Sequence, residues 1–109
     1  SAAKAAGMTW MRALASEEGK HRVRANAVIP ASTRTHAWDQ RLADDPGILD
    51  RLSRHYPLGR IVTPTEVANA VLFLASPLAS GITGTSITVD AGLTASNLPF
   101  LDAITGLSD

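Results

Sequence analysis

The sequence predicts an α/β fold with parallel strands, on three observations. An apolar stretch, Val23, Ala25, Ala27, Val28 and Ile29, runs into Pro30 and a small, hydroxyl-rich loop from Ala31 to Thr35. A second strand, Thr85 to Val89, alternates Ile87 and Val89 with Ser86 and Thr88. Between them, Thr63-Pro64-Thr65-Glu66 opens a helix. Strand, helical connection, strand is the βαβ unit, whose crossover between parallel strands is right-handed. In open sheets of this kind ligands sit beyond the carboxyl ends of the strands, which makes the loop after Ile29 the natural place for a site.

Each element has a local cause. From Ala2 to Glu18 strong helix formers dominate, and Ala3, Trp10, Met11, Leu14 and Ala15 recur at three- and four-residue steps. Ser1 is the available cap and Gly19 the stop. The basic run Lys20, His21, Arg22 and Arg24 is read as solvated charge favoured by the dipole at that helix end. The strand Val23 to Ile29 is nearly continuous in apolar residues, as suits a parallel strand covered on both faces. Asn26 interrupts it and must find partners inside the fold.

From His36 to Ser53 two short helices are expected, anchored by Trp38, Leu42, Ile48 and Leu52 and broken at Pro46-Gly47. Such a segment after a site loop is either a lid or a packed connection. The turn Tyr56 to Arg60 precedes a capping box: Thr63 caps the Glu66 amide, Glu66 reaches back, and Pro64 takes the first helical position. That helix is expected from Pro64 to Ala75, with Val67, Val71, Leu74 and Ala75 on one face. Asp90-Ala91-Gly92 closes the second strand. The tail from Leu93 to Asp109 carries Leu98, Phe100, Leu101, Ile104 and Leu107, too apolar to be left free.

Composition bounds the function classes. At 109 residues the chain fits one domain, read here as a single partial domain, 1–109, with 93–109 as its tail. Lysine and arginine (10) balance aspartate and glutamate (10), which argues against a nucleic-acid partner. No apolar run approaches the roughly 18 residues of a membrane span, and no leader pattern is expected. The lack of cysteine suits a reducing cytoplasm, the expected location. His21, His36 and His55 lack metal-ligand spacing and read as surface residues, so no metal is expected. Asp44-Asp45 reads as a solvated helix end rather than a catalytic pair.

With these segments placed, the chain resembles the C-terminal half of classical short-chain dehydrogenases/reductases from Ser1 to about Thr94. The resemblance rests on Ser1-Ala2-Ala3-Lys4-Ala5-Ala6, which looks like the segment just after the tyrosine of the Tyr-x-x-x-Lys motif. It continues through Arg22-Val23-Arg24-Ala25-Asn26-Ala27-Val28-Ile29-Pro30 and Pro57-Leu58-Gly59-Arg60 with Pro64 and Glu66. Leu72-Phe73-Leu74-Ala75-Ser76, Ile82-Thr83-Gly84 and Val89-Asp90 complete it.

The resemblance implies a Rossmann-like doubly wound parallel sheet, represented here by its last βαβ unit and the preceding helix. It implies hydride transfer between NAD or NADP and a small-molecule carbonyl or alcohol. Lys4 matches the lysine that lowers the tyrosine's pKa and holds the nicotinamide ribose; that tyrosine would fall immediately before Ser1. Four-residue spacing puts the two on one helix face, where an ammonium favours the phenolate. Pro30, Ala31, Thr33 and Thr35 match the turn that contacts the nicotinamide carboxamide and the phosphates, with Ala31 in place of the usual glycine. Tyr56 matches no catalytic position. The family also implies a homo-oligomer through the helix at 64–75 and the strand at 85–89. The N-terminal half, with the catalytic serine and the glycine-rich turn, is expected to be missing, leaving this chain alone inactive. The alternative is a truncated family member serving as an assembly module; a small helical nucleic-acid binder is disfavoured by the neutral charge.

Overall fold

The computed structural model describes residues 2–95 and 97–106, in the order α1 (Ala2–Glu18), β1 (Ala27–Pro30), α2 (Ala37–Asp44), α3 (Ile48–Ser53), α4 (Pro64–Ala75), β2 (Ser86–Val89) and α5 (Leu98–Thr105). The expected cap Ser1 and the tail residue Leu107 lie outside the described residues. β1 and β2 are neighbours in a two-stranded sheet. Their register is parallel, as shown by Ala27 N–H donating to Thr85 O (3.0 Å) and Ala31 N–H to Val89 O (3.1 Å). The chain forms two compact units, Ser1–Ile29 with Ala68–Thr88 and Pro30–Val67 with Val89–Asp109.

In the first unit α1 spans the expected residues and buries Met11 and Ala15, whereas Trp10 stays 69% exposed. β1 is shorter than the strand expected from Val23, because side chains interrupt the ladder in its first half, where Gly84 N–H still donates to Ala25 O at 2.7 Å. Ala25 N–H donates to Thr83 Oγ1 at 3.1 Å. Asn26 finds both of its partners, donating from Nδ2 to Ile82 O (2.9 Å) and accepting at Oδ1 from Thr85 N–H (3.1 Å). Arg24 corrects the reading of a wholly solvated basic run. Its half-buried guanidinium donates to the carbonyls of Leu74 (2.7 Å), Ile82 (3.2 Å) and Ser76 (3.3 Å). Leu74 and Ser76 lie at the C-terminal end of α4, where carbonyls lack intrahelical donors and the dipole favours a cation. The helix-end logic holds, but the helix is α4 rather than α1. On α4 itself Leu74 is buried while Val71, Leu72 and Phe73 are exposed, on the segment where the resemblance places subunit contacts.

The second unit holds a core of Trp38, Tyr56, Ile61, Val62 and Ala91, with Ala31, Ile48, Leu49, Leu52, Val67, Val89 and Leu93 packed against it. The two helices expected between His36 and Ser53 are present, with Trp38 buried and the Arg41 guanidinium 4.4 Å above its ring. Asp45 pairs with Arg51 across the break, and that pairing keeps its carboxyl below the usual range. Beyond β2 the chain turns at Asp90–Leu93, closed by Leu93 N–H donating to Asp90 O (3.0 Å). Both central residues have positive φ, Ala91 at 52° and Gly92 at 91°. The Asp90 carboxylate holds this turn by accepting from the Thr94 hydroxyl (2.6 Å) and from the amides of Thr94 and Gly92 (2.9 Å each). Those bonds, the Thr94 hydroxyl first, hold its carboxyl below the usual range. The tail forms α5, capped by Asn97, whose Oδ1 accepts from Phe100 N–H at 3.2 Å. Leu98 is half-buried, and Phe100, Leu101 and Ile104 are exposed.

Candidate functional site

The loop from Pro30 to Thr35 is fixed by its backbone at both ends. At its start Ala31 N–H donates to Val89 O, and the Ala31 methyl packs on the core of the second unit. Further along, Thr33 forms a parallel bridge with Val62: Val62 N–H donates to Ser32 O (3.2 Å) and Arg34 N–H to Val62 O (2.8 Å). Val62 is 2% exposed, so the loop leans on one of the most deeply buried residues of the chain. Within the loop Thr33 Oγ1 donates to Ala31 O (3.1 Å) and Thr35 N–H to Thr33 O (2.8 Å).

Alanine at position 31 is compatible with this path. Among the described residues other than glycine, positive φ occurs at Arg22 and Ala91, so the loop requires no glycine at 31 for its backbone. The loop continues into α2 through Arg34, whose guanidinium donates to Thr35 O (2.8 Å) and Asp39 Oδ1 (2.9 Å). Asp39 also meets His36 Nδ1 at 3.4 Å, and its carboxyl is lowered by the Arg34 bond first and the His36 contact second. Arg34, Thr35, His36, Asp39 and Pro64 line a shallow concavity beside the loop.

A second network abuts the loop. Arg60 grips Glu66 with both guanidinium nitrogens, 2.7 Å to each carboxylate oxygen. Glu66 Oε1 also accepts from Thr63 N–H (2.8 Å), while Thr63 Oγ1 accepts from Glu66 N–H (3.2 Å), the expected capping box. Arg60 and then the Thr63 amide bring the Glu66 carboxyl down to about 2.

Of the five residues singled out in the sequence, Pro30, Ala31, Thr33 and Thr35 lie together in this loop, with Pro30 and Thr35 exposed. Lys4 belongs to the first unit, exposed in the first turn of α1. Tyr56 is 3% exposed in the core, and all three histidines are exposed. Sequence reasoning misses Ile61 and Val62. The signal for them is an apolar pair directly before a capping box, where an exposed turn has no need of one.

The loop's chemistry fits the polar edge of a nicotinamide nucleotide. Among the described residues the Ser32 and Thr33 amides and the Ser32 and Thr35 hydroxyls donate no hydrogen bond, which leaves a short row of donors beside small side chains. Amide and hydroxyl donors of this kind suit a carboxamide oxygen and phosphate oxygens.

A family profile described as enoyl-(acyl carrier protein) reductase matches residues 1–94. An uncharacterized oxidoreductase of Schizosaccharomyces pombe is 45% identical over 97 residues, covering 89% of this chain and 38% of that protein. An oxidoreductase of the short-chain dehydrogenase/reductase family from Burkholderia thailandensis superposes with a TM-score of 0.90 at 42% identity, over 98% of this chain and 42% of its own. An NADPH-bound short-chain oxidoreductase from Pseudomonas aeruginosa PAO1, containing an atypical catalytic center, gives a TM-score of 0.77 at 37% identity, over 84% of this chain and 37% of its own. The chain thus spans about two fifths of the length of the proteins it matches. With the α/β architecture, the Pro30–Thr35 loop and the capped α4 all within the matched span, the chain belongs to the short-chain dehydrogenase/reductase family.

Proposed function

We propose that this chain supplies the nicotinamide side of the active site of an NAD(P)-dependent oxidoreductase acting on a small carbonyl or alcohol. The observation that carries the reading is the Pro30–Thr35 loop: small residues, with amide and hydroxyl donors that among the described residues are unused, held in place by backbone bonds to Val62 and Val89. Nicotinamide, when bound, accepts or gives the hydride. The loop's part is positional. The Thr33 amide and Thr35 hydroxyl donate to the carboxamide and phosphates, and Ala31, packed on the core, anchors the start of the loop. Lys4 contributes a positive charge on α1 that lowers the pKa of a tyrosine one helical turn earlier and binds the ribose hydroxyls. That tyrosine moves the proton to or from the substrate oxygen. The NADPH named for the Pseudomonas aeruginosa neighbour supports the cofactor class. The shared two fifths supports a division of labour in which the pyrophosphate turn and the tyrosine come from the remainder of a family-length chain.

Thr35→Val tests the loop. The swap removes one hydroxyl at an exposed position, so melting should be unchanged while the dissociation constant for NADH or NADPH in a family-length protein rises about tenfold or more, the worth of one hydrogen bond to a charged group. Unchanged affinity in a folded variant would remove Thr35 from the cofactor site.

A further inference from the structure

We propose that the Arg60–Glu66 pair is a positioning clamp for the Pro30–Thr35 loop, acting through the backbone of Val62. The contacts form one chain. Arg60 holds both oxygens of Glu66 (2.7 Å each) and also donates to Ile61 O at 3.3 Å. Glu66 in turn accepts from Thr63 N–H at 2.8 Å. Residues 61 and 63, on either side of Val62, are therefore tied to the same ion pair at the first turn of α4. Val62 then holds Ser32 O and Arg34 N–H, flanking Thr33.

Burial of the Ile61 and Val62 side chains sets how deep this segment lies. It does not fix the direction of the Val62 amide and carbonyl about the chain axis, and that direction decides whether the bridge to the loop can form. A bidentate fork on a helix start is suited to that task, since two parallel bonds fix an angle where one fixes only a distance. The carboxyl of Glu66, held down at about 2, keeps the fork charged through neutral pH.

Only the consequence for binding rests on the cofactor reading, so the test separates the two. Hydrogen–deuterium exchange of residues 30–36 is measured in the cofactor-free, family-length protein for the parent, Arg60→Ala and Glu66→Gln. Affinity for NADPH and for NADH is measured on the same preparations. Arg60→Ala should speed exchange at the Arg34 amide about tenfold, with the α1 peptides unchanged. Glu66→Gln keeps an acceptor for the Thr63 amide and should give a smaller increase; it also serves if Arg60→Ala does not fold. Weakened cofactor binding should follow in the same rank order. Faster exchange with unchanged affinity upholds the clamp and counts against the loop as the cofactor's seat. Unchanged exchange in a folded variant overturns the clamp, because burial of Ile61 and Val62 would then suffice.

Discussion

Replacing Lys4 by Met in a catalytically competent, family-length protein should lower kcat by about two to four orders of magnitude, the usual worth of acid–base assistance. Methionine keeps the length and helix preference of lysine, and Lys4 is exposed on α1, so the fold should survive the change. On the proposed reading, what is lost is the ammonium one turn from the catalytic phenol. Without it the phenolate is disfavoured, and the pH–rate profile should move to higher pH for oxidation of the alcohol. Steady-state rates with profiles from about pH 6 to 10 check this, a window that spans the phenol's ordinary range. Near-normal turnover would remove Lys4 from the chemistry.

The second large effect is structural. A Cβ on Gly92 would stand 2.7 Å from Pro57 Cγ, 2.9 Å from its Cβ and 3.0 Å from its Cδ, at a φ of 91°. The proline ring cannot turn aside, and its neighbour Leu58 donates its amide to Ala91 O at 3.1 Å, so turn and ring are locked together. Gly92→Ala should therefore cost about 2–4 kcal/mol, combining left-handed strain with the clash. Gly59→Ala provides the comparison. Its φ is 77° but nothing lies within 4 Å, so it should cost only about 1 kcal/mol. Denaturant melts of the two variants separate strain from collision, and equal losses would mean that Pro57 gives way.

How much of the fold is legible in the sequence depends on how far apart the partners lie. α1 and α4 can be read to their end residues because composition and the Thr63–Glu66 box act within one or two turns, although the left-handed residue past α1 is Arg22, at the end of a 3-10 turn from Gly19 to His21, and not the expected Gly19. The start of β1 cannot, and the expected strand begins four residues early at Val23 rather than Ala27. Its first half mixes one backbone bond, from Gly84 N–H to Ala25 O, with side-chain bonds to Ile82, Thr83 and Thr85, all more than fifty positions on. Asn26 announces its need of partners, but nothing local names them. Arg24 reads as solvent-facing for the same reason: the carbonyls that draw it inward belong to α4 and the segment after it.

At the site, the loop's composition and its place after a strand mark it out, and the family resemblance supplies its expected role. The bridge from Thr33 to Val62 stays hidden, because an isolated parallel contact has no periodic signature. The Arg60–Glu66 fork is half visible. The capping box shows Glu66 and Thr63, while Arg60, six residues before Glu66, lies outside the three- and four-residue steps by which helical pairs are recognised.

The most direct test of the central claim is a fluorescence titration of NADH and NADPH into two species of verified mass, the 109-residue chain and a family-length protein containing it. The longer protein should bind one or both nucleotides in the micromolar range, and the 109-residue chain should bind neither measurably, since on the proposed reading its loop meets only the nicotinamide end and a helix N-terminus for the pyrophosphate must come from elsewhere. Absence of binding by the longer protein would contradict the assignment of the Pro30–Thr35 loop to a nicotinamide nucleotide, and micromolar binding by the 109-residue chain would contradict the division of labour.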